Sequence, residues 1–507
     1  MSGDRHLRSD PDGRLGGSPA KLATVLVKAS PDYARSVAGQ HLLQLLINLL
    51  ARQFGVVREI LLEVPDCDLH DQVVLSPRIG AGSLLSSLIT LGRVVGADIT
   101  ATRLADGRSA TAVVYVGGGL IPEVNQCPAI AVYGHRWRAI ASTVGALDCS
   151  SAKSDNPLGP YLAACTAAGF VFKSAYEKQR AVDVRLDLWR QRNEEGPELE
   201  GTFLPGAYVL GLGAVGAAFG YVIAAARGLT GQLIGIDPQT MSDTDCNRIL
   251  SGSAHDVGAL KVDLFSKLFR PGAIEPFTFK GRWPEDYLGE PHRKVPAEIR
   301  REEDELRFEW VISCVDRDRD RVGIANALPR HVLSGSTLGM AAQTAYYGFE
   351  GECECLGCTH RTPQQLGVEE RAEELRSVGR EGRKQWYESH GASLREQASI
   401  EEYLDNPHCA GLGEADLARL GIQGEVDWAV GFVSTAAGVI LAARFIRAAL
   451  LGAPKEIEEG SEWRYLFWSD ELLVSRAKRL PACPVCDELN EEWRSLWFIA
   501  PPGARRT

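Results

Sequence analysis

Three glycines constrain this chain more than any other feature. Gly211, Gly213 and Gly216 fall in Tyr208-Val-Leu-Gly-Leu-Gly-Ala-Val-Gly216, an apolar run that passes into an Ala-rich helical stretch. A G-x-G-x-x-G turn between a strand and a helix lets the backbone approach a phosphate. The helix that follows aims its free N–H groups at the same anion. The next apolar run, Gly231 to Ile236, ends in Asp237, placed to accept a hydrogen bond from a ribose hydroxyl. This much is a generic nucleotide-binding βαβ unit, and a nicotinamide-dependent oxidoreductase would satisfy it.

The residues after Asp237 narrow the choice. They run Pro-Gln239-Thr-Met-Ser-Asp-Thr-Asp245-Cys-Asn247-Arg248, and then Asp256-Val-Gly258-Ala-Leu-Lys261. A dehydrogenase has no use for Asn-Arg and Lys here. An enzyme handling a triphosphate does, because Arg248 and Lys261 can neutralise phosphate oxygens as charge builds on them. At this point the chain resembles the ThiF/MoeB and ubiquitin-activating enzyme superfamily. That family carries the glycine turn, an Asp, an Asn-x-x-Arg segment and a Gly-x-x-Lys. This sequence departs from the pattern twice: Gln239 stands where an Asp is usual, and Asp245 where the Asn of Asn-x-x-Arg is usual.

The resemblance implies roles for further residues. Asp316 ends the apolar run Trp310-Val-Ile-Ser-Cys-Val, and Arg321 follows at the family's spacing. A carboxylate there would hold Mg²⁺ beside the phosphates, since a hard cation prefers carboxylate oxygen. The charged run after Asp316 reads as a solvated cluster. Asn247 belongs with Gly211, Gly213, Gly216, Asp237, Arg248, Lys261 and Asp316 in the implied ATP-Mg set. Arg35, in Asp32-Tyr-Ala-Arg35, is the candidate for an arginine that reaches the phosphates from the opposite half. An ordinary exposed helix arginine fits it equally.

Cys355-Leu-Gly-Cys358 and Cys483-Pro-Val-Cys486 are two C-x-x-C knuckles. Four thiolates make a closed tetrahedral zinc site with a structural role. The long stretch between the pairs means that only tertiary folding can bring them together, as the resembled family does. Cys409, in Asn406-Pro-His408-Cys409, is the candidate nucleophile, because a thiolate attacks acyl groups well. An incidental surface thiol is the alternative, and Cys353 is next in line. Cys67, Cys127, Cys149, Cys165, Cys246 and Cys314 read as small core residues.

The chain has 507 residues and a net charge of −11, which argues against a nucleic-acid or anionic-membrane partner. Twelve cysteines behind a start that lacks the apolar core of a signal peptide indicate a cytoplasmic, reducing compartment. The most apolar stretch, Trp428 to Leu451, contains Arg444 and Arg447 and reads as a buried helix rather than a membrane span. The resemblance implies an α/β protein with two Rossmann-like adenylation halves, one inactive and one active, about a pseudo-twofold axis. Residues 1–20 form a disordered tail, 21–190 the inactive half and 191–202 a linker. The active half occupies 203–358 and 426–490, interrupted by a crossover segment over 359–425 that carries Cys409, and 491–507 is a tail. A weak echo links the halves: Thr166-Ala-Ala-Gly169 recurs as Thr435-Ala-Ala-Gly438.

The function that the resemblance implies is activation of a ubiquitin-like protein at its C-terminal glycine. ATP-Mg would give an acyl adenylate, Cys409 a thioester, and a conjugating enzyme would receive the acyl group. Bacterial ubiquitin-activating-like enzymes of antiphage operons are the nearest likeness. Adenylation of a sulfur-carrier protein or peptide without a thioester is the second reading. An oxidoreductase and a non-catalytic scaffold are the others. Trp493, Trp497 and Phe498 would either dock a conjugating enzyme or pack down.

Overall fold

In a computed structural model the described residues are 19, 21–73, 82–96, 99–105, 108–118, 127–144, 147, 154–190, 195–270, 274–283, 309–316, 318–349, 353–360, 368–405, 430–453, 460–480, 483–494 and 497. They build two mixed sheets. The first half supplies β1 (Ala23–Ala29), β2 (Val57–Glu63), β3 (Thr100–Arg103), β4 (Ala112–Val116), β5 (Ala129–His135), β6 (Arg138–Ser142) and β7 (Asp183–Asp187), in the order β3-β2-β1-β4-β5-β6-β7. The second supplies β8 (Ala207–Leu210), β9 (Gly231–Ile236), β10 (Ile274–Phe279), β11 (Trp310–Ser313), β12 (His331–Leu338), β13 (Ala341–Tyr347), β14 (Glu462–Leu466) and β15 (Glu471–Ser475), in the order β10-β9-β8-β11-β12-β13-β14-β15.

The two orders repeat strand for strand, apart from the extra β15. In each sheet the first five strands run parallel. Each then turns antiparallel through a two-residue hairpin. One is at Arg136-Trp137 between His135 and Arg138, the other at Gly339-Met340 between Leu338 and Ala341. Arg136 and Gly339 both adopt positive φ there, the backbone twist that short hairpins require. Parallel strands are covered on both faces, so they read as continuous apolar runs; all four residues of β8 and of β11 are buried. Strands β1, β3, β6, β7, β10 and β12 to β15 escape a sequence reading because they are short, half-exposed or interrupted by charged or polar residues.

Helices fill the gaps between strands. The first half uses α1 (Val37–Ala51), α2 (Leu84–Val95) and α3 (Leu158–Ala175). The apolar spacing of Leu42, Leu43, Leu46, Leu49 and Leu50 predicts a single helix over Tyr33–Phe54. Instead Pro31–Ala34 makes one turn and α1 begins afresh, because Ser36 is extended and its side chain accepts from Gly39 N. The second half uses α4 (Ala214–Ala225), α5 (Lys261–Ser266), α6 (Asp318–Asn326) and α7 (Leu356–Thr359). An insertion follows, made of α8 (Val368–Ser377), α9 (Gly379–Ser389) and α10 (Leu394–Asp405), before α11 (Gly431–Leu451) and α12 (Pro484–Arg494). The insertion has a small core of its own, built on Ala372, Leu375, Tyr387, Ile400 and Leu404.

The Thr-Ala-Ala-Gly echo marks equivalent helices. α3 lies between β6 and β7, and α11 between β13 and β14. Thr166 and Thr435 each bond the carbonyl four residues earlier, Leu162 and Gly431. The glycines permit close approach: a Cβ on Gly169 would lie 2.6 Å from the Phe467 ring, and one on Gly438 2.5 Å from Ala218. α11 is long and apolar enough to span a bilayer, yet 89% of its most apolar stretch is buried within the protein. Arg444 on it donates to the carbonyls of Thr344, Gly460 and Ser461. Arg447 lies over the rings of Trp189 and Trp463 and donates to Leu188 O.

One apolar cluster runs through both halves, from Leu42 and Phe172 to Phe219, Phe432 and Phe445. A fully buried ion pair crosses it, Lys173 Nζ to Asp470 Oδ2 at 2.7 Å, with Lys173 also donating to Phe467 O. The two halves therefore share one apolar core.

Candidate functional site

The strand order of the second sheet reverses between β8 and β11, and ligands of open α/β sheets bind at the carboxyl ends of strands at such a point. The glycine turn sits there. Gly211 takes φ +81, and a Cβ on it would meet Cys314 O at 2.9 Å. A Cβ on Gly216 would lie 2.0 Å from Gly211 O, so the turn cannot close with any larger residue. Gly213 caps α4, and a Cβ there would meet nothing within 4 Å. No side chain caps the helix either. The turn thus leaves open space beside free N–H groups, which is what an anionic group needs.

From the turn, a chain of polar contacts leads to both candidate cations. Leu212 N donates to Asp237 Oδ2 at 2.6 Å, and Gln239 N to Asp237 Oδ1 at 2.7 Å. Lys261 Nζ donates to Gln239 Oε1 at 2.7 Å and lies 3.6 Å from Asp245 Oδ2. Arg248 Nη2 reaches Asp245 Oδ1 at 2.7 Å. Asp237 is buried, which pushes its carboxyl above the usual range against the pull of Lys261 and the two N–H donors. Burial also opposes ionisation of Asp245, but Arg248, Lys261 and the Ser242 bonds outweigh it and hold its pKa low. Asn247 is buried beside Arg248, with Oδ1 3.4 Å from Nη1. The turn, Asp237, Asn247, Arg248 and Lys261 therefore form one assembly.

Asp316 lies beyond the end of β11 and is exposed. The chain just before it, Cys314-Val315, packs against Gly211. Arg321, on α6, donates from Nε to Val315 O at 3.2 Å and braces that segment. An exposed carboxylate beside a glycine turn is a fitting donor for a hard cation.

Arg35 is exposed on the first half. It lies 3.9 Å from Asp32, and its carbonyl oxygen is 2.8 Å from His70 Nε2. A different arginine of that half reaches the second one. Arg52 follows α1 and is fully buried. It donates to Cys246 O at 2.5 Å, Leu250 O at 3.1 Å and Gly252 O at 2.7 Å, and through Nε to Asn48 Oδ1 at 2.7 Å. Those carbonyls belong to the segment that carries Arg248. Sequence reasoning passed over Arg52. Its signal is the polar spacing Gln40, Gln44, Asn48, Arg52, one residue per turn on an otherwise apolar helix.

The corresponding corner of the first sheet, between β1 and β4, is filled by protein. A Cβ on Gly117 would meet the Tyr33 side chain at 2.3 Å. The Tyr33 hydroxyl donates to Gly134 O and accepts from Gly134 N.

The two C-x-x-C knuckles meet. Cys355, Cys358, Cys483 and Cys486 are buried, and their sulfurs lie within 4.8 Å of one another. The pairs 355–358, 355–483 and 358–486 are 3.9, 3.9 and 3.6 Å apart. A tetrahedron with Zn–S bonds of about 2.3 Å has sulfur edges of about 3.8 Å, so the cluster fits zinc. Trp493 and Trp497 pack against it, donating to Pro329 O and Leu328 O. Of the two readings for these tryptophans, packing down is the observed one. Phe498 lies outside the described residues, as do Asn406, His408 and the candidate nucleophile Cys409. Cys165 and Cys246 are buried, while Cys67, Cys127, Cys314 and Cys353 are half-buried.

No family model matches the chain. An uncharacterized protein of Sinorhizobium fredii, y4jF, is 24% identical over 390 residues, covering 72% of this chain and 68% of its own. Two solved structures of E. coli MccB are similar. The one with AMPCPP and selenomethionine MccA has TM-score 0.34 and 14% identity, and the match covers 56% of this chain and 66% of MccB, just under two thirds. The one with MccA-N7isoASN has TM-score 0.34 and 15% identity, and covers 56% and 67%.

Proposed function

We propose that this chain adenylates a terminal carboxylate with ATP. The observation that carries the reading is the continuous polar chain from the glycine turn through Asp237 and Gln239 to Lys261 and Arg248. A dinucleotide enzyme needs the first part of that chain. A triphosphate needs both parts, because negative charge grows on the leaving pyrophosphate.

The reaction runs as follows. An oxygen of the substrate's C-terminal carboxylate attacks the α-phosphorus, the bond to the β-phosphate oxygen breaks, and pyrophosphate leaves. Glycine-turn N–H groups and the α4 N-terminus hold the phosphates. Lys261 and Arg248 take up the charge that develops, and Asn247 packs behind Arg248. Asp237 holds the turn and retains acceptor capacity for a ribose hydroxyl. Asp316 is the residue to hold Mg²⁺, which when bound neutralises phosphate charge. Arg35 belongs to the proposal as the arginine from the opposite half.

The finer reading is that the substrate is a ubiquitin-like protein ending in glycine. The Cys409 thiolate would then attack the acyl carbon and expel AMP, and a conjugating enzyme would take the acyl group in turn. Supporting it, the Cys409 segment follows a three-helix insertion with its own core and precedes α11. Zinc on the four cysteines, a pseudo-twofold relation of the halves and a role in antiphage defence belong to the same reading. A substrate of the sulfur-carrier or peptide kind needs only the first step.

Pyrophosphate exchange into ATP tests the reading. Exchange should require a partner ending in glycine and fall at least ~100-fold in Lys261→Met. Exchange unaffected by Lys261→Met would overturn it, as would binding of a nicotinamide dinucleotide in place of ATP. A thiol-sensitive gel shift lost in Cys409→Ala supports the thioester step; exchange without any shift favours the one-step reading.

A further inference from the structure

The site contains one group that the proposed chemistry does not use, and it touches both cations. Asp245 is buried, with Oδ1 2.7 Å from Arg248 Nη2 and Oδ2 3.6 Å from Lys261 Nζ. Ser242 fixes the carboxylate through its N–H and its hydroxyl, each 3.0 Å from Oδ2. The arrangement is built and not incidental, since the Ser242–Asp245 pair forms a reciprocal cap on the turn over Asp243–Asp245. A carboxylate engaging two cations offers them what a phosphate would: one anionic oxygen hydrogen-bonded to Arg248 and a second in ion-pair contact with Lys261.

We propose that Asp245 is an internal counter-anion for Arg248 and Lys261, a positioning residue that holds both side chains until a polyphosphate displaces it. The inference deepens the adenylation reading and rests on it. Gln239 is its complement. It meets Lys261 with a neutral amide oxygen at 2.7 Å, so one carboxylate faces Lys261 from residues 239 and 245 together. Positions 239 and 245 thus meet the same ammonium group, one with a neutral amide and the other with a carboxylate.

The physical consequence has a sign. Asp245 and an incoming polyphosphate compete for the same two cations, so Asp245 weakens nucleotide binding while keeping the cations in place. A residue that merely supported the fold would do the opposite when replaced.

The test is titration of ATP-Mg and of inorganic pyrophosphate onto the full-length chain, with thermal midpoints recorded alongside. Asp245→Asn keeps the shape and the Ser242 contact, and should tighten both ligands about tenfold. Gln239→Asp, at an exposed position, adds a second carboxylate to Lys261 and should weaken them by a similar factor. The double exchange, Gln239→Asp with Asp245→Asn, should return affinity to near the parent value. Weaker or unchanged binding in Asp245→Asn at an unchanged thermal midpoint overturns the inference. Should that variant not fold, tighter or unchanged binding in Gln239→Asp overturns it instead. If the parent chain takes up neither ATP-Mg nor pyrophosphate, the adenylation reading itself falls, a result that no comparison of variants would mimic.

Discussion

Two buried histidines contribute an acid-sensitive part of this protein's stability. His331 Nδ1 lies 2.7 Å from the Tyr346 hydroxyl and its ring packs at a tilt against Trp310, centroids 4.6 Å apart; His41 Nδ1 lies 2.9 Å from the Tyr161 hydroxyl. Burial, with Arg330 adding to it, pulls the His331 pKa down to about 3; burial, with His70 and Arg227 adding to it, brings His41 to about 3 as well. Both groups fold as neutral imidazoles, so their contribution is present above pH 6.5 and is lost as pH falls from there toward 3. At pH 5 each imidazole costs about 2 kcal/mol, from 1.36 kcal/mol per pH unit. We expect the thermal midpoint to drop between pH 7 and pH 5, and His331→Asn to lessen the drop. A midpoint that is flat across that range would contradict this. At this scale the glycines, Asp237, Arg248, Lys261 and the four cysteines were legible in the sequence, because each is a residue type with few alternatives at its spacing. Asp245 stood in plain view as a departure from a pattern, but its contacts with Lys261 and Arg248 depend on how the loop folds back.

At the scale of elements, α1 matters beyond its own half. Its length and apolar faces are readable from Leu42, Leu43, Leu46, Leu49 and Leu50. The target of the arginine behind it is not, since the three carbonyls it meets lie about 200 residues away. Burial brings the Arg52 pKa down to about 10, so the guanidinium stays charged at neutral pH. Replacing it leaves carbonyls without donors, and Arg52→Ala should cost ~3 kcal/mol. Hydrogen exchange is the sharper check. Amides of residues 246–252 should exchange faster in Arg52→Lys than in the parent chain, while those of β12 keep their protection. Uniform exchange across both segments would mean that Arg52 does not restrain the Arg248 loop.

Over the whole molecule, the cysteine cluster joins the chain after β13 to α12, drawing residues 355 and 483 together across the insertion and α11. Trp493 and Trp497 close over it. The purified chain should hold one zinc ion, measured by atomic absorption. A strong chelator should lower the thermal midpoint and shift tryptophan emission to the red as that cap loosens. Zinc-free protein with an unaltered midpoint would rule out the staple. Sequence reading anticipated the pairing of the knuckles and the two-half plan, and it located the buried helix within Trp428 to Leu451.

What the sequence determined by itself is local or periodic: the glycine turn, the apolar parallel strands, the spacing of cations and thiols, and the Thr-Ala-Ala-Gly echo. These survive translation into residues because backbone geometry and side-chain period act over a few positions. Tertiary structure alone decided which distant groups share a surface. It placed Asp245 against two cations, Arg52 under the loop of the other half, and Lys173 on Asp470. The reason is that burial makes the partner of a charge obligatory without specifying where along the chain that partner lies.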